Sequence, residues 1–335
     1  MNILWQSKNK AVYDSFKKGV VTAFINGGNA YDVQSALALS ENYKIDVDQV
    51  AIRDNEPVLK YWFRMASYKA KADLLIMEPF PVVYGKRRDG QKSIAMIHHV
   101  DPEIMNSGWY HRWYFYRLLR RARYCDAIVT VSEYWKNYFA HMGATHVEVI
   151  YNSFDPSIYN APVDEKAFRE KFNIPENKKI IYIGNALREK GVYEVYDALK
   201  ETDYHLVMTG AKNRTPDLKV QYMNLTRAEY LTLLRISSVV VAFSLMIEGW
   251  NRIAHEALLS GTPVVGSGTG GMHELLTKAG QPIVATKERL LPEIEIVMQK
   301  RDEYVKRGQA YVSQFDPAYF KKRWVEVVER VMKGK

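Results

Sequence analysis

The chain has 335 residues, of which 47% are hydrophobic and 25% are charged, and it carries a formal net charge of +9. These values are typical of a soluble globular protein with two domains of ordinary size, and they exclude an intrinsically disordered chain. The single Cys125 excludes an intramolecular disulfide framework and a multi-cysteine metal site. The positive charge suits a nucleic acid, an anionic membrane surface or a phosphorylated small substrate, and charge alone does not choose among them.

The first residues predict a buried strand and not a secretory signal. Residues 1–8 contain no extended apolar core and no small-residue cleavage site. No run elsewhere in the sequence approaches the length of a membrane span. Together with the single cysteine, these observations lead us to expect a protein of the reducing cytoplasm.

Short apolar runs without polar alternation recur along the chain between helical patterns. Such runs are typical of strands that are covered on both faces, so they predict parallel sheets with crossover helices. The fold class is therefore α/β. The runs lie at residues 72–77, 94–97, 127–131, 180–183, 205–208, 239–243 and 263–265.

A domain boundary is predicted where this pattern is interrupted. Residues 151–163 contain Asn, Ser, Asp and two prolines between a strand and an amphipathic helix. We place a first domain at 1–155 and a second at 156–315. Residues 316–335 form a final helix, with Phe320 and Trp324 on its apolar face. Spacing alone does not decide whether this helix packs on its own domain or on the first.

Two features of the N-terminal half suggest ligand contact, each with a structural alternative. Residues 26–31 form a glycine-rich turn in which Gly27 and Gly28 suit close approach by a ligand, although an ordinary loop explains them nearly as well. His98 and His99 follow a predicted strand, at the end where open parallel sheets place ligands. A zinc site is disfavoured because adjacent residues point in different directions and no third ligand is evident.

The helix predicted over residues 109–123 mixes aromatic and basic side chains. Either its aromatic residues lie in the core and its arginines in water, or the helix contacts the headgroup zone of an anionic membrane. The basic segment 85–88 adds to the second interpretation. Both alternatives stay open.

The most informative segment is the stretch of residues 248–256, which has a glutamate at each end. If a helix begins near Trp250, Glu248 lies on the loop ahead of it and Glu256 lies about two turns inside. The two carboxylates then face different parts of one elongated ligand. The exposed amides at the helix start lie between them and suit a phosphate group. For a single glutamate, the ordinary alternative is a solvated helix face.

This segment resembles the two-glutamate signature of retaining GT-B glycosyltransferases, in particular glycosyltransferase family 4, also called glycosyl transferases group 1. Residues 183–191 resemble the phosphate-binding turn of that family, and residues 261–274 resemble its donor-side loop. Residues 128–133 and 149–155 resemble the end of its first domain. Each piece is weak alone, but together they occur in the correct order from about residue 93 to about residue 275.

The resemblance implies two Rossmann-like domains whose parallel sheets face a central cleft. Residues 1–155 would bind the acceptor, residues 156–315 would bind the nucleotide-sugar donor, and the helix within 316–335 would cross back to the first domain. The implied activity is retaining, hexosyltransferase-type transfer from a UDP- or GDP-sugar to a glycan or lipid-linked acceptor. No metal or other cofactor is expected, because the nucleotide sugar is a substrate. A nucleic-acid partner is not expected, and an anionic membrane surface remains a candidate partner for a cytoplasmic, peripherally associated enzyme.

The resemblance also assigns roles to residues of this sequence. Glu248, His98 and Lys190 would be catalytic, and Glu256 would hold the ribose. Asn185 stands where the family often has arginine, and we hypothesise that Arg188 supplies the missing charge. Asn251 stands where a glycine is common. The full set of expected donor-binding residues is Glu256, Arg188, Asn185, Gly249, Trp250, Asn251, Arg252, Gly27 and Gly28.

Two other functions are alternatives. A GT-B nucleotide-sugar epimerase or hydrolase would share the donor pocket and would convert the donor without an acceptor. A basic nucleic-acid-binding protein would show an affinity that falls steeply with salt. The chain has no recognised nucleic-acid motif.

Overall fold

The structure is a computed structural model, and it describes residues 1–21, 27–50, 56–68 and 70–334. Asn26, the first residue of the predicted glycine-rich turn, and Lys335 lie outside the described residues. The chain divides into two compact units. Unit 1 contains Met1–Ser153 and the segment that begins at Pro317, and unit 2 contains Phe154–Asp316.

Unit 1 is built on a six-stranded parallel sheet with the strand order β2-β1-β3-β4-β5-β6. The central strands are apolar, and every residue of β3 is buried because helices cover both faces of the sheet. The strands are β1 (Asn2–Ser7), β2 (Lys44–Gln49), β3 (Leu74–Met77), β4 (Lys92–Met96), β5 (Ala127–Thr130) and β6 (Val147–Val149).

The helices of unit 1 alternate with these strands, as crossover connections in a parallel sheet require. A 3₁₀-helix, Pro102–Ser107, precedes the fifth α-helix. The α-helices are α1 (Lys10–Lys18), α2 (Gly27–Ser40), α3 (Val58–Ser67), α4 (Pro79–Tyr84), α5 (Trp109–Ala122) and α6 (Glu133–His141).

Unit 2 is built on a five-stranded parallel sheet with the order β11-β10-β7-β8-β9. The strands are β7 (Ile180–Asn185), β8 (His205–Thr209), β9 (Gln221–Met223), β10 (Val239–Ala242) and β11 (Val264–Gly266). The α-helices are α7 (Pro156–Tyr159), α8 (Glu165–Phe172), α9 (Val192–Leu199), α10 (Arg227–Ile236), α11 (Arg252–Leu259), α12 (Gly271–Lys278), α13 (Leu290–Gln299) and α14 (Arg301–Val312). Three 3₁₀-helices complete it, at Arg188–Lys190, Lys212–Arg214 and Lys287–Arg289.

The last helix, α15 (Pro317–Lys333), belongs to unit 1. Its apolar face is buried, with the Trp324 ring 5.6 Å from that of Trp5 and the Phe320 ring 5.1 Å from that of Tyr31. This is the placement that the resemblance implies. An amphipathic helix that buries two large aromatic side chains completes the core of the unit.

The chain passes from one unit to the next after Ser153, two residues before the predicted end of the first domain. The difference has a packing cause. The Phe154 amide donates to Phe315 O at 3.2 Å, and the Phe154 ring lies 4.6 Å from that of His255, so Phe154 is part of the unit 2 core.

The carboxyl ends of the strands position the candidate functional side chains. Within each sheet all strands are parallel, so their carboxyl ends lie at the same edge. In unit 1, Glu78 follows β3 and His98 follows β4; in unit 2, Asn185 ends β7. Among the described residues, no helix is both long and apolar enough to cross a bilayer.

Candidate active site

Lys190 and Glu248 form an ion pair in unit 2. The Lys190 ammonium donates to Glu248 Oε1 at 2.7 Å and lies 3.5 Å from the Met246 sulfur. The Glu248 side chain is 8% exposed and that of Lys190 is 27% exposed. The pair therefore combines a nearly buried carboxylate with a cation that still reaches solvent.

Two loops bring this pair together. Lys190 ends the 3₁₀-helix after β7, and Glu248 lies on the loop after β10. The Glu189 carbonyl accepts from the Leu245 amide at 2.9 Å, which joins the two loops. Gly191 adopts a φ of +65°, and a Cβ there would lie 1.9 Å from Phe243 O, so only glycine permits this approach.

A third loop fixes the backbone of Glu248. The Gly271 amide donates to Glu248 O at 2.9 Å, and a Cβ on Gly270 would lie 2.4 Å from the same oxygen. Thr269 Oγ1 donates to Met246 O at 2.7 Å. The predicted donor-side loop thus supports Glu248 through its backbone.

Asn251, the residue before α11, adopts a left-handed conformation with a φ of 72°. Asparagine tolerates this region better than most residues with a side chain. Its Oδ1 accepts from the Ala254 amide at 2.9 Å as the N-cap, and its Nδ2 donates to Glu248 Oε1 at 3.3 Å. Asparagine therefore serves in the position where a glycine is common, and it adds a contact to Glu248.

Glu256 lies on α11 in a separate cluster of donors. Its carboxylate accepts from Tyr159 Oη at 2.8 Å and from Tyr230 Oη at 3.3 Å, and it lies 2.8 Å from Arg227 Nη1. Arg227 Nη2 also donates to Tyr159 Oη at 2.7 Å. Burial, followed by the nearby Glu256, raises the pKa of Tyr159, so its hydroxyl stays a donor. Glu256 is 7% exposed and is a fixed acceptor, not a solvated helix residue.

The loop before α11 and the first residue of this helix carry three further predicted donor-binding residues, Gly249, Trp250 and Arg252. The helix begins at Arg252, two residues later than predicted, and the Arg252 guanidinium lies 4.4 Å from the centre of the Phe154 ring. Gly249 is buried. The Trp250 side chain is 2% exposed and donates to His255 Nδ1 at 3.0 Å. Trp250 is thus a core residue, and only its backbone amide remains a candidate for ligand contact.

His255 lies next to Glu256 in the sequence but faces the core. Burial, with the nearby Arg252, lowers its pKa to about 3, so the imidazole is neutral at physiological pH. Its ring packs against the rings of Phe154 and Phe315, at 4.6 and 6.0 Å. His255 is therefore a core residue of unit 2 and is not available for proton transfer.

Asn185 and Arg188 are exposed residues near the end of β7. Thr209 Oγ1 donates to Asn185 Oδ1 at 2.5 Å. The Arg188 guanidinium lies 5.3 Å from the centre of the Tyr193 ring. Arg188 therefore supplies a second cation on the turn that contains Lys190.

In unit 1, His98 lies against a buried carboxyl pair. His98 Nε2 is 3.0 Å from Asp32 Oδ1, and the His98 ring is 4.9 Å from that of Tyr31. Asp32 is 3% exposed and Glu78 is 5% exposed. Burial raises the pKa of Asp32 to about 8, only partly offset by a hydrogen bond with Glu78. Burial and the adjacent Asp32 raise the pKa of Glu78 to about 8 as well.

The remaining predicted residues of unit 1 lie near this group or on the surface. Gly27 is exposed and Gly28 half-buried at the start of α2, the helix that carries Asp32. Asn9 Nδ2 donates to Asn29 Oδ1 at 2.9 Å, which fixes that first turn to the residue before α1. His99 is exposed beside Trp135.

Sequence reasoning missed several residues of both groups, namely Asp32, Glu78, Tyr159, Arg227 and Tyr230. Glu78 had a usable signal, since it follows an apolar run directly, as His98 does. Arg227 and the tyrosines had none, because they come from α7 and α10 and reach Glu256 only through the packing of these helices on α11.

The two parallel-sheet α/β units, together with their likeness to solved GT-B structures, confirm the predicted fold class. Residues 44–158 match the family described as Glycosyltransferase Family 4, and residues 164–310 match Glycosyl transferases group 1. The chain belongs to these glycosyltransferases, and the predicted resemblance to glycosyltransferase family 4 is confirmed.

Individual proteins agree with this assignment. An uncharacterized glycosyltransferase of Methanocaldococcus jannaschii, MJ1607, is 28% identical over 171 residues, which span 44% of this chain and 44% of that relative. The structure of sucrose-phosphate synthase from Thermosynechococcus elongatus is similar with a TM-score of 0.77 at 15% identity, covering 100% of both chains. Anabaena HepE, in complex with UDP-glucose, is similar with a TM-score of 0.72 at 18% identity, covering 98% of this chain and 99% of HepE. The two solved structures show the likeness of the fold.

Proposed function

We propose that this chain transfers a hexose from a nucleoside diphosphate donor to a sugar-containing acceptor, with retention at the anomeric carbon and without a metal ion. The observation that carries the proposal is the Lys190–Glu248 pair, which combines a cation for a diphosphate with a carboxylate for a sugar hydroxyl. A UDP-sugar is the first candidate donor, because the similar HepE has been solved with UDP-glucose and with UDP and glucose.

Unit 2 is proposed to bind the donor. Lys190 and the exposed Arg188 would neutralise the diphosphate, and the backbone amides from Gly249 to Arg252 at the start of α11 would add donors to its oxygens. Glu256 would accept from the ribose hydroxyls in place of Tyr159 and Tyr230, while Arg227 keeps its charge compensated. Asn185, at the end of β7, lies on the same turn as Arg188.

The proposed chemistry depends on charge that develops during the reaction. When the bond between the anomeric carbon and the phosphate oxygen breaks, its electron pair stays on the diphosphate. A fixed ammonium group then stabilises the transition state more than the ground state. The acceptor hydroxyl attacks the anomeric carbon, and its proton passes to the departing phosphate oxygen. Glu248 would favour the positive charge that develops at the anomeric carbon.

Unit 1 is proposed to bind the acceptor and to contribute His98 to catalysis. The contact with Asp32 fixes the orientation of the imidazole. Gly27 and Gly28 would permit close approach of a ligand to the first turn of α2.

The first experiment is a thermal-shift screen with UDP, GDP, UDP-glucose and a GDP-hexose, because a ligand that binds only the folded state raises the melting temperature. A response to one nucleotide and its sugar conjugate supports the proposal. No response to any nucleoside diphosphate would reject the donor assignment.

Two further tests address the mechanism. Addition of a chelator should leave turnover unchanged, because no metal ion takes part. Proton NMR of the product should show the same anomeric configuration as the donor. Donor conversion without an acceptor would instead favour an epimerase or hydrolase.

A further inference from the structure

Unit 1 exposes an apolar helix face that sequence analysis did not identify. On α3, Leu59 is 60% exposed, Trp62 is 39% exposed and Phe63 is 67% exposed. Their spacing places them on one side of the helix, whereas Tyr61 and Met65 on the other side are buried. The apolar residues of α3 are therefore divided between the core and solvent.

The exposed face of α5 continues this surface. Trp109 is 81% exposed and Tyr116 is 60% exposed. The Arg117 guanidinium joins the helices, because it lies 6.0 Å from the centre of the Trp62 ring on α3 and 5.4 Å from that of Trp113 on α5. We use the term α3–α5 surface for Leu59, Trp62, Phe63, Trp109, Tyr116 and Arg120.

The charges on this surface are positive, and none of the acidic side chains that the structure describes is paired with them. Arg112 and Arg120 are exposed. Arg117 Nε donates to Val83 O at 2.9 Å, and Arg121 Nε donates to Val82 O at 2.6 Å, so both guanidinium groups are bonded to neutral carbonyls. Among the side chains that the structure describes, which do not include those of residues 102–104, no arginine of α5 forms an ion pair with a carboxylate. A groove of about 640 Å³ runs along α5 between these arginines and the aromatic rings.

We propose that the α3–α5 surface binds the face of an anionic phospholipid bilayer. Leu59, Phe63 and the tryptophans would enter the boundary between headgroups and acyl chains, where aromatic rings are favoured. The arginines would contact lipid phosphates, and basic residues near such a surface are each worth roughly a fivefold gain in affinity.

The combination of positive charge and exposed apolar side chains favours an anionic bilayer over a nucleic acid or a second copy of the chain. A nucleic acid offers phosphates but no apolar layer for Leu59 and Phe63. A second copy of the chain offers an apolar surface but brings the same arginines, which would repel each other. An anionic bilayer supplies both a negative surface and an apolar interior.

The test is flotation of the full-length protein with vesicles of phosphatidylcholine alone and of phosphatidylcholine with phosphatidylglycerol. We expect flotation only with the anionic vesicles, and less of it at high salt because the charges are screened. Phe63→Asp should lower the partition coefficient about tenfold. The matched control is Ile296→Asp, which places the same charge at an exposed apolar position of unit 2 and should leave binding unchanged.

A second pair of variants tests the charges. Arg120→Glu should weaken binding to anionic vesicles about fivefold or more. Lys166→Glu makes the same change of net charge on α8, where the lysine side chain is 76% exposed, and should have little effect. Turnover of a soluble acceptor without vesicles should equal that of the wild type in all four variants, which separates membrane binding from the proposed sugar transfer.

Three results would overturn the proposal. The first is absence of flotation with anionic vesicles. The second is an equal loss in each variant and its control, which would mean that net charge alone acts. The third is self-association in lipid-free buffer that Phe63→Asp abolishes, because this would assign the surface to a second copy of the chain.

Discussion

Lys190 Nζ lies 2.7 Å from Glu248 Oε1, although 58 positions separate the two residues in the sequence. The contact joins the loop after β7 to the loop after β10. Because the ammonium already has a carboxylate partner, a diphosphate that binds there competes with Glu248 for it. Lys190 could therefore exchange its contact with Glu248 for a contact with a bound phosphate.

Lys190→Met should lower kcat/KM for the donor by roughly 100-fold or more, because it removes a fixed charge that the departing diphosphate needs. Initial rates with a UDP-sugar measure the effect. Lys200→Met is the control, since Lys200 pairs with Asp197 on the surface of the same unit. Equal activity of Lys190→Met and the wild type would remove Lys190 from the mechanism.

Glu256→Gln should raise the donor KM about tenfold while kcat changes little, because a ribose contact is made equally in the ground state and the transition state. The comparison with a 2′-deoxyribose donor isolates this contact. The variant should lose less with the deoxy donor, which lacks one of the hydroxyls. An identical loss with both donors would place Glu256 in a purely structural role, bonded to Tyr159 and Arg227.

Much of the fold was predictable because its buried strands are short and continuously apolar. The limits of β3, β5 and β10 agree with the predicted runs to within two residues. Strand β2 was missed for a physical reason. It lies at the edge of its sheet, and its sequence, Lys44–Gln49, alternates charged and apolar residues because only part of it is covered.

The candidate site was predictable where its residues lie close together in one segment of the sequence. The loop position of Glu248 and the helical position of Glu256 follow from the segment 248–256. The partners of Glu256 and His98 were not predictable, because Arg227 and Asp32 reach them only through helix packing. The burial of the Trp250 side chain was also not predictable, because the motif suggests ligand contact for its backbone amide and does not indicate where the ring packs.

Asn251→Ala should destabilise unit 2 by about 1–2 kcal/mol, because alanine disfavours the left-handed region and provides no N-cap. Asn251→Gly should cost only a few tenths of a kcal/mol by the capping scale, since glycine accepts the conformation. Urea unfolding compares the two variants. If alanine and glycine cost the same, the φ of 72° does not determine the residue at this position.

Asp32→Asn should change how the stability of unit 1 depends on pH. Burial raises the pKa of Asp32 to about 8, so the folded state keeps a proton that the unfolded state releases near pH 4. The free energy of unfolding that depends on this group is therefore greatest at low pH and falls as pH rises towards 8. Asparagine is neutral throughout and does not incur this loss.

The measured quantity is the melting temperature of Asp32→Asn minus that of the wild type, which should increase between pH 5.5 and pH 8.5. Asp89→Asn is the control, because Asp89 is exposed. A difference that stays constant with pH would show that Asp32 does not hold this proton in the folded protein.

Gly191→Ala should disturb the junction of the two loops that carry Lys190 and Glu248. The new Cβ would lie 1.9 Å from Phe243 O, and the backbone has a φ of +65°. Gly19→Ala is a matched control, because its φ is +69° and no atom of the described residues lies within 4 Å of its Cβ. The control should therefore report the left-handed strain alone, about 1–2 kcal/mol.

Gly191→Ala should lower the melting temperature more than Gly19→Ala does, and it should weaken the binding of the donor that the wild type selects. If both variants lose the same stability and Gly191→Ala binds that donor normally, the loops have room to separate and their close approach does not hold Lys190 in place.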